Sequence, residues 1–206
     1  MKIFGLTGGI ASGKSTVSTI LSDELNIKVI DADILARKVV EVNSIALKKI
    51  VIEFGIEVLK DNESLDRKKL RDIVFKDKNK IKLLNDIVHP EVDKLYKGLI
   101  NKYKEECQEY VIYDCPLLIE ENLINRVDKI ILVVADESLQ MQRLISRDNL
   151  SKEQAKKIID IQMKSYQKLK VSHYIIFNDG NYEDLKSGVN SLWDTILEQH
   201  SNCTKK

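Results

Sequence analysis

The sequence predicts a three-layer α/β/α fold built on a five-stranded parallel sheet. Short apolar runs alternate with segments of helical periodicity, which is typical of proteins with a parallel sheet. Two runs, residues 110–114 and 129–135, are almost continuously apolar, as expected of strands that are covered on both faces. A glycine-rich segment at residues 8–15 lies between the first apolar run and the first helical pattern, and this order also favours an α/β protein.

The other elements follow from the same patterns in chain order. Three shorter apolar runs predict strands at residues 2–6, 27–30 and 174–177, each followed by apolar residues at helical spacing. Residues of about 40–107 carry several helical stripes and no strand pattern of comparable strength. Within them, Pro90 predicts the first turn of a helix, because its missing N–H does no harm there.

Capping side chains mark two further helix starts. Asp66 suits the N-cap of a helix, and Ser151 opens a capping box. We expect the chain to fold as a single domain. Its expected parts are a core at residues 1–40 and 108–206 and a helical insertion at about 41–107.

The charge balance and the cysteine pattern limit the classes of function. Lys and Arg number 33 and Asp and Glu 32, so composition gives no support for a nucleic-acid or membrane partner. The N-terminus enters a strand without a signal-peptide pattern, and three cysteines without a C-x-x-C spacing suit a reducing compartment. We therefore expect a cytoplasmic protein. We expect a monomer or a weak homo-oligomer, since no apolar stripe is clearly surplus to the core.

Residues 8–15 match the phosphate-binding pattern G-x-x-x-x-G-K-[ST] in full. Glycines let the backbone curl until its N–H groups face an anion, and the N-terminus of the following helix adds positive potential. Lys14 would reach the β- and γ-phosphates of ATP, and the Ser15 hydroxyl would coordinate Mg²⁺. A glycine turn that only caps a helix is the alternative, but the strand before and the helix after favour a nucleoside triphosphate site. The expected ATP contacts in this loop are Gly9, Ala11, Ser12, Gly13, Lys14, Ser15 and Thr16.

Several sequence blocks resemble the dephospho-coenzyme A kinase family. The most specific are Asp-Ala-Asp at residues 31–33 and Pro-Leu-Leu-x-Glu at 116–120, because the phosphate loop alone defines only a superfamily. The other blocks, in the family's order, are Leu65-Asp66-Arg67, Val88-His89-Pro90, Arg143-Leu144, Arg147-Asp148-Asn149, Gln162 and residues 174–180. The resemblance covers residues 3 to about 180.

The resemblance implies a P-loop fold of the nucleotide-kinase type. It also implies transfer of the ATP γ-phosphate to the ribose 3′-hydroxyl of dephospho-CoA, the last step of coenzyme A synthesis, with the helical insertion binding the substrate. One departure is visible: where the family usually has Ala-Asp before the fifth strand, this chain has Ser172-His173.

The acceptor hydroxyl needs a carboxylate that orients it and accepts its proton. Asp33 is the main candidate, because it lies just past a strand and ligands bind at the carboxyl ends of strands in open α/β sheets. The family resemblance gives this position the same role. An Asp33 that only caps the helix beginning at Ile34 is the alternative. Asp31 is the second candidate for substrate contact.

Asp114 ends an apolar strand, as a Walker-B-type aspartate does, and would hold Mg²⁺ directly or through water. A strand-end carboxylate that caps the following loop is the alternative.

Arg143 and Arg147 lie four residues apart on one helix face. Their setting resembles the start of the lid in adenylate-kinase-like enzymes, where the first arginine packs on adenine and the second meets the phosphates. The resemblance implies a lid at about residues 143–165 that closes over ATP and excludes water. The alternative for Arg147 is an ion pair with Asp148 or Glu153 on a solvated face.

Further expected contacts come mainly from the resemblance. For the substrate they are His89, Arg37, Leu118 and Glu120, and for adenine Asn178. Three of them have a structural alternative: a helix start for His89, an ion pair with Glu41 for Arg37 and a turn for Asn178.

Three other functions compete with this one. Another small P-loop kinase would lack the blocks at 31–33 and 88–90. A GTP-binding switch commonly needs Asn-Lys-x-Asp after a strand, whereas residues 125–128 are Asn-Arg-Val-Asp and precede one. A scaffold without turnover would not need Lys14, Asp33 and Arg147 together.

Overall fold

A computed structural model describes residues 1–203, and only the backbone of residues 201–203. The strands are β1 (Lys2–Gly8), β2 (Lys28–Asp31), β3 (Tyr110–Asp114), β4 (Lys129–Val134) and β5 (Tyr174–Phe177). The α-helices are α1 (Lys14–Thr19), α2 (Ala32–Lys38), α3 (Ile45–Phe54), α4 (Arg67–Val74), α5 (Lys78–Glu105), α6 (Glu137–Asp148), α7 (Lys152–Ile161), α8 (Ser165–Leu169) and α9 (Tyr182–Cys203). A π-helical turn at Ile20–Glu24 continues α1, and short 3₁₀ turns lie at Ile56–Val58 and Ile124–Arg126.

The strands form one parallel sheet in the order β2-β3-β1-β4-β5, with helices on both faces. In the register of the central strands, Leu6 of β1 lies opposite Asp114 of β3 and Ile131 of β4. The segment after β1 and the last residue of β3 therefore meet at the carboxyl edge of the sheet. The predicted fold class is confirmed.

One compact unit consists of residues 1–29 and the chain from residue 108 onward. Its core surrounds Phe4, whose ring meets Trp193 edge to face at 5.8 Å between centroids, a favourable aromatic geometry. The apolar faces of the sheet and of α9 supply most of the core. Its buried members are Phe4, Leu6, Val17, Ile20, Leu21, Ile27, Ile112, Ile131, Val133, Ile176, Leu185, Val189, Trp193 and Ile196.

The other compact unit is Ile30–Cys107, which is mainly helical. It has an apolar cluster of its own, drawn from α3, α4, α5 and the segments between α2 and α4. The cluster comprises Val39, Val40, Ala46, Leu47, Ile50, Phe54, Val58, Leu65, Leu70, Val74 and Ile87.

The prediction that a helix begins at Pro90 is wrong, because α5 runs unbroken from Lys78 to Glu105 with Pro90 inside it. The helix begins instead after Asp77, whose carboxylate accepts the Asn79 N–H at 2.8 Å. An interior proline removes one backbone hydrogen bond. Burial of Ile87 before Pro90 and Tyr96 after it keeps the two halves in one helix.

The predicted caps are confirmed. Asp66 accepts the Lys68 and Lys69 N–H groups at the start of α4, and Ser151 forms a full capping box with Gln154 at the start of α7. Among residues 1–203, no helix is both long and apolar enough to cross a membrane.

Candidate active site

The loop between β1 and α1 has the backbone shape that its sequence requires. Gly13 adopts φ +91°, and a Cβ there would collide with the side-chain amide of Asn178. Ala11 also has a positive φ, +56°, which an L-residue adopts only at a cost. The loop is closed by a hydrogen bond from the Ser12 N–H to the Gly9 carbonyl at 3.2 Å. Ser15, at the start of α1, is exposed.

Lys14 and Asp114, predicted separately from the sequence, are in direct contact. The Lys14 ammonium donates a charge-assisted hydrogen bond to Asp114 Oδ1. The Asp114 side chain is only 3% exposed and that of Lys14 17%, so each charge compensates the other where water is scarce. β3 lies next to β1 in the sheet, and this neighbourhood brings the carboxylate to the lysine.

Asn178 and Arg143 form a chain of hydrogen bonds to the loop. The buried Asn178 amide nitrogen donates to the Ser12 carbonyl at 2.8 Å, and Arg143 Nη2 donates to the Asn178 carbonyl at 2.9 Å. Arg143 Nη1 is buried without a hydrogen-bond partner among the described residues. Asn178 therefore shapes the phosphate loop, while adenine contacts by Asn178 and Arg143 stay predictions.

Arg147 is exposed on α6 and pairs with its neighbour Asp148. Nε and Nη2 of the guanidinium each donate to a different carboxylate oxygen at 2.8 Å. This hydrogen bonding raises the pKa of Arg147 and lowers the pKa of Asp148. The surface ion pair is thus present in this structure, and a phosphate contact by Arg147 stays a prediction.

Leu118 and Glu120, expected to line the acceptor pocket, are both turned inward. Leu118 is fully buried, and its Cδ2 occupies the space that a side chain at Gly5 would need. Glu120 Oε1 lies 2.5 Å from the ammonium of Lys168 on α8. Apart from this ion pair, neither Glu120 oxygen accepts a hydrogen bond from the described residues. Substrate contact by either residue stays a prediction, and packing and pairing are the roles seen here.

The remaining predicted residues belong to the helical unit and are described within it. Asp31, not Asp33, is the N-cap of α2: its Oδ1 accepts the N–H groups of Asp33 and Ile34 at 2.7 and 3.0 Å. The alternative in which Asp33 caps a helix beginning at Ile34 is therefore wrong, because α2 begins at Ala32. Asp33 and Arg37 are exposed on α2, and His89 is exposed inside α5.

One contact of the loop was missed by residue-level reasoning. The side-chain oxygen of Gln162, the residue after α7, accepts the Ile10 N–H at 2.7 Å. The sequence placed Gln162 only within the family resemblance and gave it no role. Its partner lies 152 positions away, and neither spacing nor periodicity could identify it.

A metal at this site would depend on few protein groups. In the part of the chain that the structure describes, no three His, Cys, Asp or Glu side chains cluster as a metal centre. The Ser15 hydroxyl and the Asp114 carboxylate are both oxygen ligands, the type that Mg²⁺ prefers, and Mg²⁺ is usually held by one or two such groups plus phosphates.

The parallel sheet, its strand order and the lysine-bearing loop after β1 together define a P-loop kinase. Comparison with known proteins gives the family: the dephospho-CoA kinase family model matches residues 2–184. The chain belongs to the dephospho-CoA kinase family.

Relatives and solved structures agree with this assignment. A dephospho-CoA kinase of Fusobacterium nucleatum is 42% identical over 194 residues, covering 94% of this chain and 98% of the relative. The structure of a dephospho-CoA kinase from Campylobacter jejuni matches with a TM-score of 0.71 and 31% identity, covering 96% of this chain and 98% of that one. A shikimate kinase from Bacteroides thetaiotaomicron shares the fold alone, with a TM-score of 0.53 at 15% identity and coverage of 95% and 98%.

Proposed function

We propose a residue-level mechanism for the kinase reaction of this family. The reaction moves the γ-phosphate of ATP to the ribose 3′-hydroxyl of dephospho-CoA. Phosphoryl transfer asks a protein mainly to position the reactants and to stabilise charge. The observation that carries the proposal is the phosphate loop with its Lys14–Asp114 pair, found in a chain that matches the family over residues 2–184.

On the donor side, residues 11–16 hold the triphosphate of ATP. Lys14 leaves Asp114 for the β- and γ-phosphates, because a phosphate oxygen offers the ammonium a more highly charged partner. Arg147 likewise exchanges Asp148 for the transferring phosphate, where a guanidinium is worth about 10³–10⁵ in rate. Gly9, Arg143 and Asn178 complete the proposed ATP site.

On the acceptor side, Asp33 orients the 3′-hydroxyl and accepts its proton. Its carboxylate suits this role because Asp31 performs the capping of α2, and Asp33 is exposed in the first turn. Asp31, Arg37, His89, Leu118 and Glu120 remain the proposed substrate contacts.

Ser15 and Asp114 are the residues that would hold Mg²⁺, since both offer oxygen ligands. When bound, the ion would neutralise charge on the β- and γ-phosphates. Release of Asp114 from Lys14, as the lysine turns to the phosphates, would free the carboxylate for this purpose.

ATP consumption by purified protein tests the substrate and the base together. Wild type and Asp33→Asn are assayed with dephospho-CoA, AMP, CMP, shikimate or no acceptor, in the presence of Mg²⁺. We expect turnover with dephospho-CoA alone. We expect Asp33→Asn to lose about 10²–10⁴ in kcat, the usual contribution of a positioned base, while its affinity for ATP is retained.

Asp23→Asn, an exposed carboxylate outside the proposed site, serves as the matched control and should keep wild-type turnover. Phosphorylation of another acceptor would contradict the acceptor assignment. Full activity of Asp33→Asn would contradict its role as the base.

We also propose a cytoplasmic location and a monomeric or weakly associating chain without nucleic-acid or membrane partners. Neither Cys107 nor Cys115 forms a disulfide among the described residues, which suits a reducing compartment. Sedimentation velocity across a concentration series measures the oligomeric state.

A further inference from the structure

Gln162 joins the phosphate loop to the C-terminal end of the proposed lid. It follows α7 directly, with an extended backbone at φ −76° and ψ 154°, and α8 begins three residues later. From this position its side-chain oxygen accepts the Ile10 N–H at 2.7 Å. The contact links two segments of the same compact unit.

This hydrogen bond is partly buried. A cavity of about 280 Å³ lies beside it, lined by Gly9, Gln140, Gln162 and Tyr166 among others. The buried Gln140 amide nitrogen would lie 2.9 Å from a Cβ at Gly9, and Gln162 Oε1 3.8 Å from it. Two glutamine amides therefore flank the Gly9–Ile10 backbone.

Gln162 and Asn178 hold the loop on either side of its strained residue. Ala11 has the unfavourable φ of +56°, and such a conformation persists only where its surroundings determine it. Gln162 binds the N–H of the residue before Ala11, and Asn178 binds the carbonyl of the residue after it. The first contact fixes the Gly9–Ile10 peptide group and the second the Ser12–Gly13 peptide group, each one peptide removed from Ala11.

We propose that Gln162 is a positioning residue for ATP. Its hydrogen bond from Ile10 keeps the loop in the shape in which the N–H groups of residues 11–16 face the triphosphate, and it ties that shape to the end of the lid. A neutral amide oxygen suits this task, because a carboxylate in its place would repel the phosphates. The inference rests on the proposed function in one respect, namely that the loop is the triphosphate site.

The test compares three substitutions with wild type. Gln162→Met keeps the side-chain length and removes the acceptor, whereas Gln162→Glu keeps an acceptor oxygen at the same reach. Gln142→Met places the same change on an exposed position of α6 and is the matched control. Three quantities are measured: amide hydrogen exchange of Ile10 without nucleotide, the KM values for ATP and dephospho-CoA, and kcat.

We expect Gln162→Met to speed Ile10 exchange and to raise the KM for ATP about fivefold, which corresponds to one net hydrogen bond. The KM for dephospho-CoA should change less than twofold. Gln162→Glu should keep Ile10 exchange slow, and Gln142→Met should match wild type throughout. Gln162→Asn is too short by one methylene to reach Ile10 and should behave as Gln162→Met does. It tests the inference if Gln162→Met does not fold.

Unchanged Ile10 exchange and ATP KM in Gln162→Met or Gln162→Asn would overturn the inference, as would equal increases in both KM values. Failure of the proposed function is distinguishable. It would appear as a wild-type protein that does not consume ATP, whereas the exchange measurement needs no nucleotide.

Discussion

Asp31 and Asp33 show how two identical side chains, two positions apart, take different tasks. Asp31 has the extended backbone of an N-cap, φ −88° and ψ 118°, and its oxygen accepts two N–H groups of α2. Asp33 is itself one of the donors and lies in the first turn, where its side chain is exposed. The preference of Asp for N-caps is visible in sequence, but which of two nearby aspartates caps depends on where the strand ends. The sequence placed the start of the helix at Ile34, whereas α2 begins at Ala32.

At Gly13, backbone conformation and available space both demand glycine. Gly13→Ala would impose φ +91° on an L-residue and push its Cβ into the Asn178 amide. We expect ATP affinity to fall at least tenfold, and stability to fall by about 1–2 kcal/mol, the cost of a left-handed conformation. Isothermal titration with a non-hydrolysable ATP analogue and chemical denaturation measure the two effects.

Gly188→Ala is the control, because a Cβ there meets nothing within 4 Å and the residue lies inside α9. It should bind ATP as wild type does. A Gly13→Ala protein with wild-type affinity would mean that the loop rearranges freely.

His173, one of the two residues that depart from the family pattern, has a structural role at the edge between β4 and β5. The ring Nδ1 of His173 accepts a hydrogen bond from the Ile130 N–H at 3.2 Å. The backbone N–H of His173 donates to the Ile130 carbonyl at 2.9 Å. Partial desolvation of its ring, with a smaller effect from the charge of Lys129, lowers the pKa of His173 below 6.5. The folded protein therefore favours the neutral ring that can accept this hydrogen bond.

The free energy of unfolding should consequently decrease as the pH falls below about 6.5. In that range the unfolded chain binds the proton first, so each step toward lower pH favours unfolding. The effect is small because His173 is exposed. Urea denaturation between pH 7.5 and 5.5 measures it, with His173→Asn expected to flatten part of the slope. An identical slope in both proteins would contradict the assignment.

At the scale of elements, the pair Glu120–Lys168 fastens α8 to the segment that follows β3. The Lys168 side chain is 2% exposed and that of Glu120 18%, with 2.5 Å between the charged atoms. Removing one partner leaves a buried charge without compensation. Lys168→Met should thus destabilise the protein by about 3–5 kcal/mol.

The double variant Glu120→Gln with Lys168→Met provides the control for this prediction. It removes both charges, so it should recover much of the loss. Denaturant unfolding of the single and double variants gives the coupling energy. If the double variant loses as much free energy of unfolding as the two single variants together, the two charges do not stabilise each other.

The elements also show where sequence reasoning succeeds and where it ends. Caps such as Asp66 and Ser151 depend on neighbours within three residues, and both were predicted correctly. Pro90 was misplaced because its usual position in a first turn is a statistical preference, whereas burial of Ile87 before it and Tyr96 after it keeps the helix continuous. The pairing of Glu120 with Lys168 joins residues 48 positions apart, which a local pattern cannot indicate.

At the scale of the whole molecule, the lid remains a prediction about motion. Residues of about 143–165 span the end of α6, all of α7 and the connection to α8. If they close over ATP, limited proteolysis should cleave this segment in the free protein, and a non-hydrolysable ATP analogue should suppress cleavage. Mass spectrometry of the fragments locates the cut. Equal cleavage with and without the analogue would contradict closure.

The fold itself was predictable because parallel strands leave a strong mark in sequence, with apolar runs such as residues 129–135 separated by helical patterns. The chemistry of the loop was also predictable, since the motif at residues 8–15 specifies backbone shape and ligand together. What the sequence did not indicate is that Lys14 and Asp114 are in direct contact. The Lys14–Asp114 pair arises from the adjacency of β1 and β3, a property of topology.

Two of the apolar clusters among the described residues, one around Phe4 and one around Ile50, belong to different compact units. A chain organised in this way can lose its structure in steps, because each cluster gathers its own cooperative unit of surrounding elements. A substitution such as Ile50→Ala would then weaken the helical unit while the sheet keeps its amide protection. For such a protein, a single melting temperature describes whichever cluster melts first.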